Sequence, residues 1–238
     1  MSGPNASLVL KTKIGLALGS VGDVHGRFWG RDDAASLFPS LLVQTYDLAR
    51  ASIPLMQTAS GRCETLVAST GDGVAAGLLP FLAQHIEEER NHDAWLLDDL
   101  EVLGRPRAEV LDRSPSATAA RLVGAQYYWI LHDHPVALVG YMAALEGGVA
   151  SESFLRDFAT RAGIDPAGVR TLLLHARVDP YHEADLDALL DGLPLSSRQA
   201  ALVATSALQT VFLLAELTQD VLNAADARAA SGAAVSPA

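Results

Sequence analysis

The sequence has 238 residues, half of them hydrophobic, with 28 acidic and 17 basic side chains. This length suits one large domain with a sizeable core. The formal net charge of -11 argues against binding to nucleic acids or anionic membranes, because both carry negative charge themselves. The single cysteine, Cys63, excludes an internal disulfide and favours a reducing cytoplasm.

The first thirty residues carry no clear structural pattern. The apolar run Ile14–Leu18 is too short for a signal peptide, and Lys11 and Lys13 precede it. No uncharged apolar stretch with membrane flanks approaches the 18 or so residues that a spanning helix needs. We therefore expect a cytoplasmic protein without a membrane segment.

Patterns typical of β-strands are nearly absent from the chain. Segments rich in alanine and leucine alternate with clusters of glycine, proline and serine, which predicts an all-α fold. In chain order the predicted helices cover residues 33–59, 73–102, 115–131, 135–146, 151–161, 166–184, 186–191 and 196–226. Residues 227–238 are rich in small side chains and are predicted to form a disordered tail.

The segment 85–92 contains the first candidate metal ligands. In a helix, residues three, four and seven apart share a face, so His85, Glu88, Glu89 and His92 point in similar directions. Glu89 and His92 form the E-x-x-H spacing with which di-iron carboxylate bundles place an oxygen and a nitrogen on one metal. The alternative is an ordinary solvated acidic face.

A second candidate is Glu146, at the end of the otherwise apolar helix 136–145. A carboxylate on such a helix is costly to bury unless it is paired or bound to a cation. The alternative is a surface residue near a helix end.

The third candidate group is His175, Asp179 and His182, spaced at i, i+4 and i+7. All three lie on one helical stripe, which makes a poor core face and a good ligand face. Pro180 lies within this stripe and predicts a kink, because it removes one helical hydrogen bond. A structural or exposed role is the alternative for the stripe alone.

Taken together, three predicted helices offer imidazole and carboxylate ligands in an otherwise apolar chain. This donor set suits iron, manganese or zinc without any thiolate. Several carboxylates combined with several histidines favour a dinuclear site over a single zinc. Residues 31–226 are therefore predicted to form a single helical metal-binding domain.

These motifs resemble those of the heme-oxygenase-like diiron oxidases and oxygenases, and in particular the iron-containing redox enzymes of that superfamily. The matching features are Glu89-x-x-His92, the segment 134–147, and His175-x3-Asp179-x2-His182. The resemblance implies a seven-helix bundle that holds two Fe²⁺ ions between its core helices.

The ligands implied by the resemblance are Glu89, His92, Glu146, His175, Asp179 and His182, with Glu88 and His85 as further candidates. The sequence departs from the family upstream, where Leu55, Met56 and Gln57 occupy positions at which a carboxylate is usual. His85 occupies the position of a glutamate in some members, which leaves it as a substitute ligand or as a residue that supports one.

The resemblance also implies an enzyme that uses O₂ as cosubstrate and needs an electron donor. Its substrate would be a small amine or a fatty- or amino-acid-like molecule, oxidised by N-oxygenation, hydroxylation, desaturation or C–C cleavage. Tyr128, Tyr141 and Tyr181 are candidates for the substrate pocket, with core packing as the alternative. Bundles of this kind often form homodimers.

Two other functions remain open from the sequence. A metal-free, thiaminase-like hydrolase of the same fold would need Cys63 as its nucleophile, and the stripe of His175, Asp179 and His182 would then have no purpose. A non-catalytic helical binding protein is the other possibility.

Overall fold

The computed structural model describes residues 5–147 and 150–233, except for the side chains of residues 179, 180, 232 and 233. Every regular element within these residues is helical, which confirms the all-α prediction. In chain order they are α1 (Ala6–Trp29), α2 (Ala34–Thr70), α3 (Gly73–Glu88), α4 (His92–Val102), α5 (Arg107–Asp112), α6 (Ala117–His132), α7 (Ala137–Glu146), α8 (Glu152–Ala162), a 3₁₀-helix (Pro166–Val169), α9 (Arg170–Gly192) and α10 (Ser197–Ala233).

The predicted helix 73–102 is two helices in the structure, with a break at residues 89–91. Asn91 adopts a left-handed backbone conformation with φ of 71°. Asparagine tolerates this region better than other residues with a Cβ, because its short polar side chain bonds locally. The sequence contains no glycine or proline here, so its helical pattern hides the break.

Two other helices are longer than predicted. α2 continues past residue 59 and ends before Gly71, whose positive φ of 66° suits a helix C-terminus. α9 is continuous over residues 170–192, where the sequence predicts two shorter helices. The sequence also predicts a kink at Pro180, but the side chain of this residue lies outside the described part of the chain.

Both ends of the described chain are helical. α1 packs against α9 and α10. The backbone N–H and hydroxyl of Ser7 each donate a 2.9 Å hydrogen bond to the Asp191 carboxylate, which ties the start of α1 to the end of α9. Residues 227–233 continue α10, in contrast to the tail predicted for 227–238. The rest of that tail lies outside the described residues.

The core contains two large clusters of buried hydrophobic side chains. The first joins α1, α2, α3, α6, α7, α9 and α10 around residues such as Leu138 and Tyr141. The second joins α2, α4, α5, α8, the 3₁₀-helix and α9 around Phe38, Leu96 and Phe158. Helices α2 and α9 contribute to both clusters, and the candidate site described below lies between them.

Helix α7 is largely enclosed, with seven of its ten residues buried, and it packs closely on α10. A Cβ atom added at Gly140 would lie only 2.1 Å from the backbone oxygen of Val203 in α10. Glycine therefore permits an approach that no other residue allows. This contact fixes the position of α7, and with it the position of Glu146 at its C-terminal end.

By length and composition, one described helix, Ser197–Ser231, is apolar enough to cross a membrane. Half of its most apolar window is buried inside the bundle, where it packs on α1, α6 and α7. A core helix of this kind satisfies the same criterion as a membrane span. Its packing in the core accounts for its composition.

Candidate metal centre

The first group of candidate ligands consists of Glu89, His92 and His175. Glu89 caps α3, His92 begins α4, and His175 lies in α9. Glu89 Oε2 lies 3.0 Å from His92 Nδ1, and this same nitrogen lies 3.0 Å from His175 Nε2. The break at 89–91 thus brings together side chains of two successive helices. We call these three residues cluster 1.

The second group, cluster 2, consists of His85, Glu146 and His182, from α3, α7 and α9. His85 Nε2 lies 3.2 Å from Glu146 Oε1. The rings of His85 and His182 meet edge to face, with centroids 4.9 Å apart. His85 and His182 are buried, and the side chain of Glu146 is 12% exposed.

Glu88 and Glu89 connect the two clusters. Glu89 Oε1 lies 3.9 Å from His85 Nε2 while its other oxygen contacts His92, so one carboxylate faces both clusters. Glu88 Oε2 lies 3.3 Å from His85 Nδ1 and 3.7 Å from His182 Nε2. The clusters are therefore immediate neighbours.

Burial and the neighbouring side chains shift the pKa values of Glu146, Glu89 and His175 in different directions. Burial raises the pKa of Glu146, against the opposing effect of His85. Burial also disfavours the charged form of Glu89, but the hydrogen bond from His92 and the charges of the surrounding imidazoles together outweigh this effect and lower the pKa of Glu89. Burial and the nearby His92 charge lower the pKa of His175 to about 4, which keeps this imidazole neutral at pH 7.

Two polar atoms in cluster 2 have no protein partner. Glu146 Oε2 and His182 Nδ1 are both buried without a hydrogen bond. Such atoms are expensive to bury, and a bound cation would satisfy a carboxylate oxygen of this kind. In cluster 1, two imidazole nitrogens face each other, and both would serve as ligands to one ion. The residues present thus fit two cations held by imidazole and carboxylate donors.

Most of the ligand set implied by the resemblance converges in space. The structure brings together Glu89, His92, Glu146, His175 and His182, with Glu88 at the border of the clusters. His85, one of the less certain candidates, is a full member of cluster 2. Asp179 occupies the predicted position in α9, but its side chain lies outside the described part of the chain.

A cavity of about 170 Å³ opens beside the clusters. His85, Glu89, Glu146 and His175 contribute to its wall, and most of the remaining lining is apolar. Tyr141, a candidate for the substrate pocket, also lines this cavity, and its buried hydroxyl has no hydrogen-bond partner.

The other two candidate tyrosines lie on the surface. Tyr128 is 57% exposed and Tyr181 is 74% exposed, and neither lines the cavity. Consecutive helical residues point about 100° apart, so a tyrosine next to the buried His182 faces outward. Tyr128 lies on the outer side of α6, against the ring of His132.

A further buried carboxylate, Asp99 in α4, positions the helix that carries two of the histidines. The backbone N–H of Thr171 donates a 2.7 Å hydrogen bond to Asp99 Oδ2, which satisfies a free donor in the first turn of α9. The sequence gives no sign of this role, because Asp98 and Asp99 look equivalent there.

We expect Asp99→Ala to lower the free energy of unfolding by about 2 kcal/mol, since the substitution leaves the Thr171 N–H buried without an acceptor. Asp98→Ala is the matched control. Asp98 is 48% exposed and pairs with Arg107 at the surface, so its removal should cost less than about 1 kcal/mol. Denaturant unfolding of the metal-free proteins measures both, and equal losses would contradict the assigned role.

Comparison with known proteins agrees with a helical fold and with a family that contains iron. Residues 67–215 match the family model described as iron-containing redox enzymes. No curated protein matches the sequence.

Two solved structures share the fold at low sequence identity. One is a domain of unknown function with a heme oxygenase-like fold from Shewanella denitrificans OS217, at a TM-score of 0.73 and 17% identity over 92% of this chain and 91% of that one. The other is a TenA homolog from Pseudomonas syringae pv. tomato DC3000, at a TM-score of 0.69 and 13% identity over 93% of this chain and 98% of that one. The family match covers more than half of the sequence, and the chain belongs to the iron-containing redox enzyme family with a heme-oxygenase-like fold.

Proposed function

We propose that this protein is a non-heme diiron enzyme that uses O₂ to oxidise a small organic substrate. The observation that carries the proposal is the pair of adjacent buried clusters, each with two imidazoles and one carboxylate. A single zinc site needs three or four ligands and would leave the other cluster without a partner. We further propose a cytoplasmic homodimer that receives electrons from a separate donor.

Each cluster would hold one ion. Glu89, His92 and His175 would bind the first, and the three residues of cluster 2 would bind the second. Held by these residues, two ferrous ions would supply electrons and open coordination positions for O₂. Because the Glu89 carboxylate faces both clusters, Glu89 would be available as a ligand at either of them. Asp179 is the further ligand that the sequence proposes.

The remaining residues of the cavity exclude water and position the substrate. The apolar wall keeps the reaction away from solvent, which limits side reactions and strengthens electrostatic interactions inside. Burial, and then the charge of Glu89, raise the pKa of Tyr141, so its hydroxyl stays protonated. Tyr141 is thus a buried hydrogen-bond donor facing the cavity in which O₂ and substrate would meet.

Anaerobic reconstitution tests the proposal directly. The metal-free chain is titrated with ferrous iron, excess iron is removed, and bound metal is counted by elemental analysis. We expect about two irons per chain, and rapid O₂ uptake when the loaded protein is mixed with aerated buffer. Zinc-loaded protein is the control and should take up no O₂. A chain that retains one iron or none would contradict a diiron centre.

The fold also admits the hydrolase alternative, because a TenA homolog is among the structural neighbours. Its nucleophile would have to be Cys63, which is completely buried in α2 and does not line the cavity. Burial raises the pKa of the Cys63 thiol to about 12, which disfavours the reactive thiolate. These observations favour the diiron enzyme.

A further inference from the structure

A groove of about 580 Å³ lies at the surface where α4, α8, the 3₁₀-helix and α9 meet. We call it the Trp95 groove, because Trp95 of α4 forms part of its wall. Among the described residues, it has no lining residue in common with the cavity beside the metal centre. A molecule in the groove and a substrate in that cavity would therefore not compete for space.

Trp95 joins this groove to cluster 1. It follows His92 by three residues on α4, so the two side chains share a helical face. Their ring centroids are 4.8 Å apart, and the ring planes are tilted by 36°. His92 is only 4% exposed, whereas Trp95 is partly exposed and lines the groove. The indole is thus the contact between a surface site and a buried metal-binding imidazole.

Three arginines share the wall with Trp95, namely Arg156, Arg170 and Arg177, and the wall contains no acidic residue among those described. Each of these side chains is about half exposed. Glu152 accepts hydrogen bonds from Nε and Nη2 of both Arg156 and Arg177, which leaves the Nη1 group of each without an acceptor in the described chain. Planar guanidinium groups with free N–H donors are well suited to bind phosphate.

The acids near these arginines set the charge that a ligand would meet. The acids that pair with the three wall arginines, or with their neighbour Arg107, are Glu152, Asp98, Asp99 and Glu101. Four arginines therefore balance four carboxylates, in a chain whose formal net charge is -11. A small anion would find donors there without net repulsion, whereas an acidic protein would also contact the negative surface beyond. The groove suits a small anion better than an acidic redox protein.

The groove thus combines an aromatic surface next to a metal ligand with donors for a phosphate. Its volume of about 580 Å³ lies within the range of roughly 300–1,000 Å³ that is usual for small-molecule sites. Among small electron donors, reduced flavin mononucleotide carries both an aromatic ring system and a phosphate, and it releases its two electrons one at a time. A reduced nicotinamide gives its electrons together as a hydride, which an imidazole-bound iron does not accept through an indole.

Resting on the diiron function proposed above, we propose that the Trp95 groove binds reduced flavin mononucleotide as the electron donor. The flavin ring lies against Trp95, and the phosphate lies at the arginines. Trp95 and His92 form the path by which electrons reach cluster 1. One dihydroflavin loses two electrons and two protons and becomes oxidised flavin, the electrons reduce two ferric ions to ferrous ions, and the protons pass to solvent.

Fluorescence titration of the metal-free protein tests the binding site. Oxidised flavin mononucleotide is the probe, because stacking on tryptophan quenches its emission, and riboflavin is the matched ligand with the same ring and no phosphate. The mononucleotide should bind at least about tenfold more tightly than riboflavin, the value of one charge-assisted hydrogen bond. Trp95→Leu should weaken both ligands about tenfold through the loss of stacking. Equal affinities of the two ligands for the unaltered protein would overturn the proposal.

Arginine variants locate the phosphate. Arg156→Gln and Arg170→Gln should each reduce the preference for the mononucleotide by at least about threefold and leave riboflavin binding unchanged. Arg161→Gln is the matched control, because Arg161 is exposed on the same helix as Arg156 and lies outside the wall of the groove. It should keep the full preference. A preference that survives in both wall variants would remove the phosphate from this site.

Stopped-flow reduction tests the electron path in the iron-loaded, oxidised protein under anaerobic conditions. The ferric absorbance should fall as photoreduced flavin mononucleotide is added, and Trp95→Leu should slow this step at least about tenfold, in line with the weaker binding. Trp129→Leu is the control, since Trp129 is also partly buried but lies on α6, outside the groove. Equal reduction rates in the two variants would overturn the assigned path.

Because the binding titrations need no metal, this inference and the proposed function fail separately. If the chain binds no iron but prefers the mononucleotide through Trp95, the diiron function fails and the groove stands as a flavin site. If two irons bind and the mononucleotide binds no better than riboflavin, the groove assignment fails and the diiron function stands. An acidic redox protein would then be the remaining class of donor.

Discussion

Replacing Glu89 by glutamine is expected to reduce bound iron from about two per chain to less than one, and to abolish O₂ uptake. Glu89 Oε2 lies 3.0 Å from His92 and Oε1 lies 3.9 Å from His85, so one carboxylate faces both clusters. Glutamine keeps the shape of the side chain but removes the negative charge that binds hard cations. Elemental analysis after anaerobic reconstitution measures the loss.

Glu87→Gln is the matched control for this substitution. Glu87 lies on the same helix, but its side chain is 64% exposed and pairs with Arg90 at the surface. The control protein should retain both irons and normal O₂ uptake. A Glu89→Gln protein that bound two irons as tightly as the control would remove Glu89 from the ligand set.

Replacing Gly140 by alanine is expected to destabilise the fold by about 3 kcal/mol, near the upper end for overpacking. The new Cβ would lie 2.1 Å from the backbone oxygen of Val203, and a backbone atom yields less easily than a flexible side chain. For a chain of this size, the loss corresponds to a fall in Tm of about 9 °C. Thermal unfolding of the metal-free protein, followed by circular dichroism, measures it.

Gly124→Ala in α6 is the control, because a Cβ there meets no other atom within 4 Å. Alanine has the higher helix propensity, so this protein should gain up to about 1 kcal/mol. Opposite signs for the two substitutions would confirm the close packing of α7 on α10. Because α7 ends in Glu146, the Gly140 variant should also bind iron more weakly. Equal changes in Tm would contradict the packing argument.

Much of the candidate site could be predicted because its ligands follow local helical spacing. The positions of His175 and His182 on one stripe depend only on the periodicity of α9, and the structure keeps that helix continuous. The apolar surroundings of Glu146 likewise marked it as a buried carboxylate, and it is almost fully enclosed in the structure. The resemblance of these motifs to those of the heme-oxygenase-like diiron oxidases then implied the full set of candidate ligands.

Other features depend on contacts that no local pattern records. The break before His92 rests on a single left-handed asparagine, which a helical sequence pattern does not reveal. The full membership of His85 in cluster 2 follows from the position of Glu146, some sixty residues further along the chain. A largely apolar cavity of about 610 Å³ is lined by residues of six helices, α1, α2, α7, α8, α9 and α10, so its existence and its lack of charged side chains among the described residues emerge only from tertiary packing.

The order of the helices along the chain has a consequence for how the protein matures. α7 carries Glu146 and is held in place by α10, which follows every ligand-bearing segment. Because translation proceeds from the N-terminus, α10 leaves the ribosome after all the metal-binding side chains have been made. We therefore expect iron to bind after translation, because a nascent chain that stalls before α10 would present these histidines and acids without the packing that brings them together.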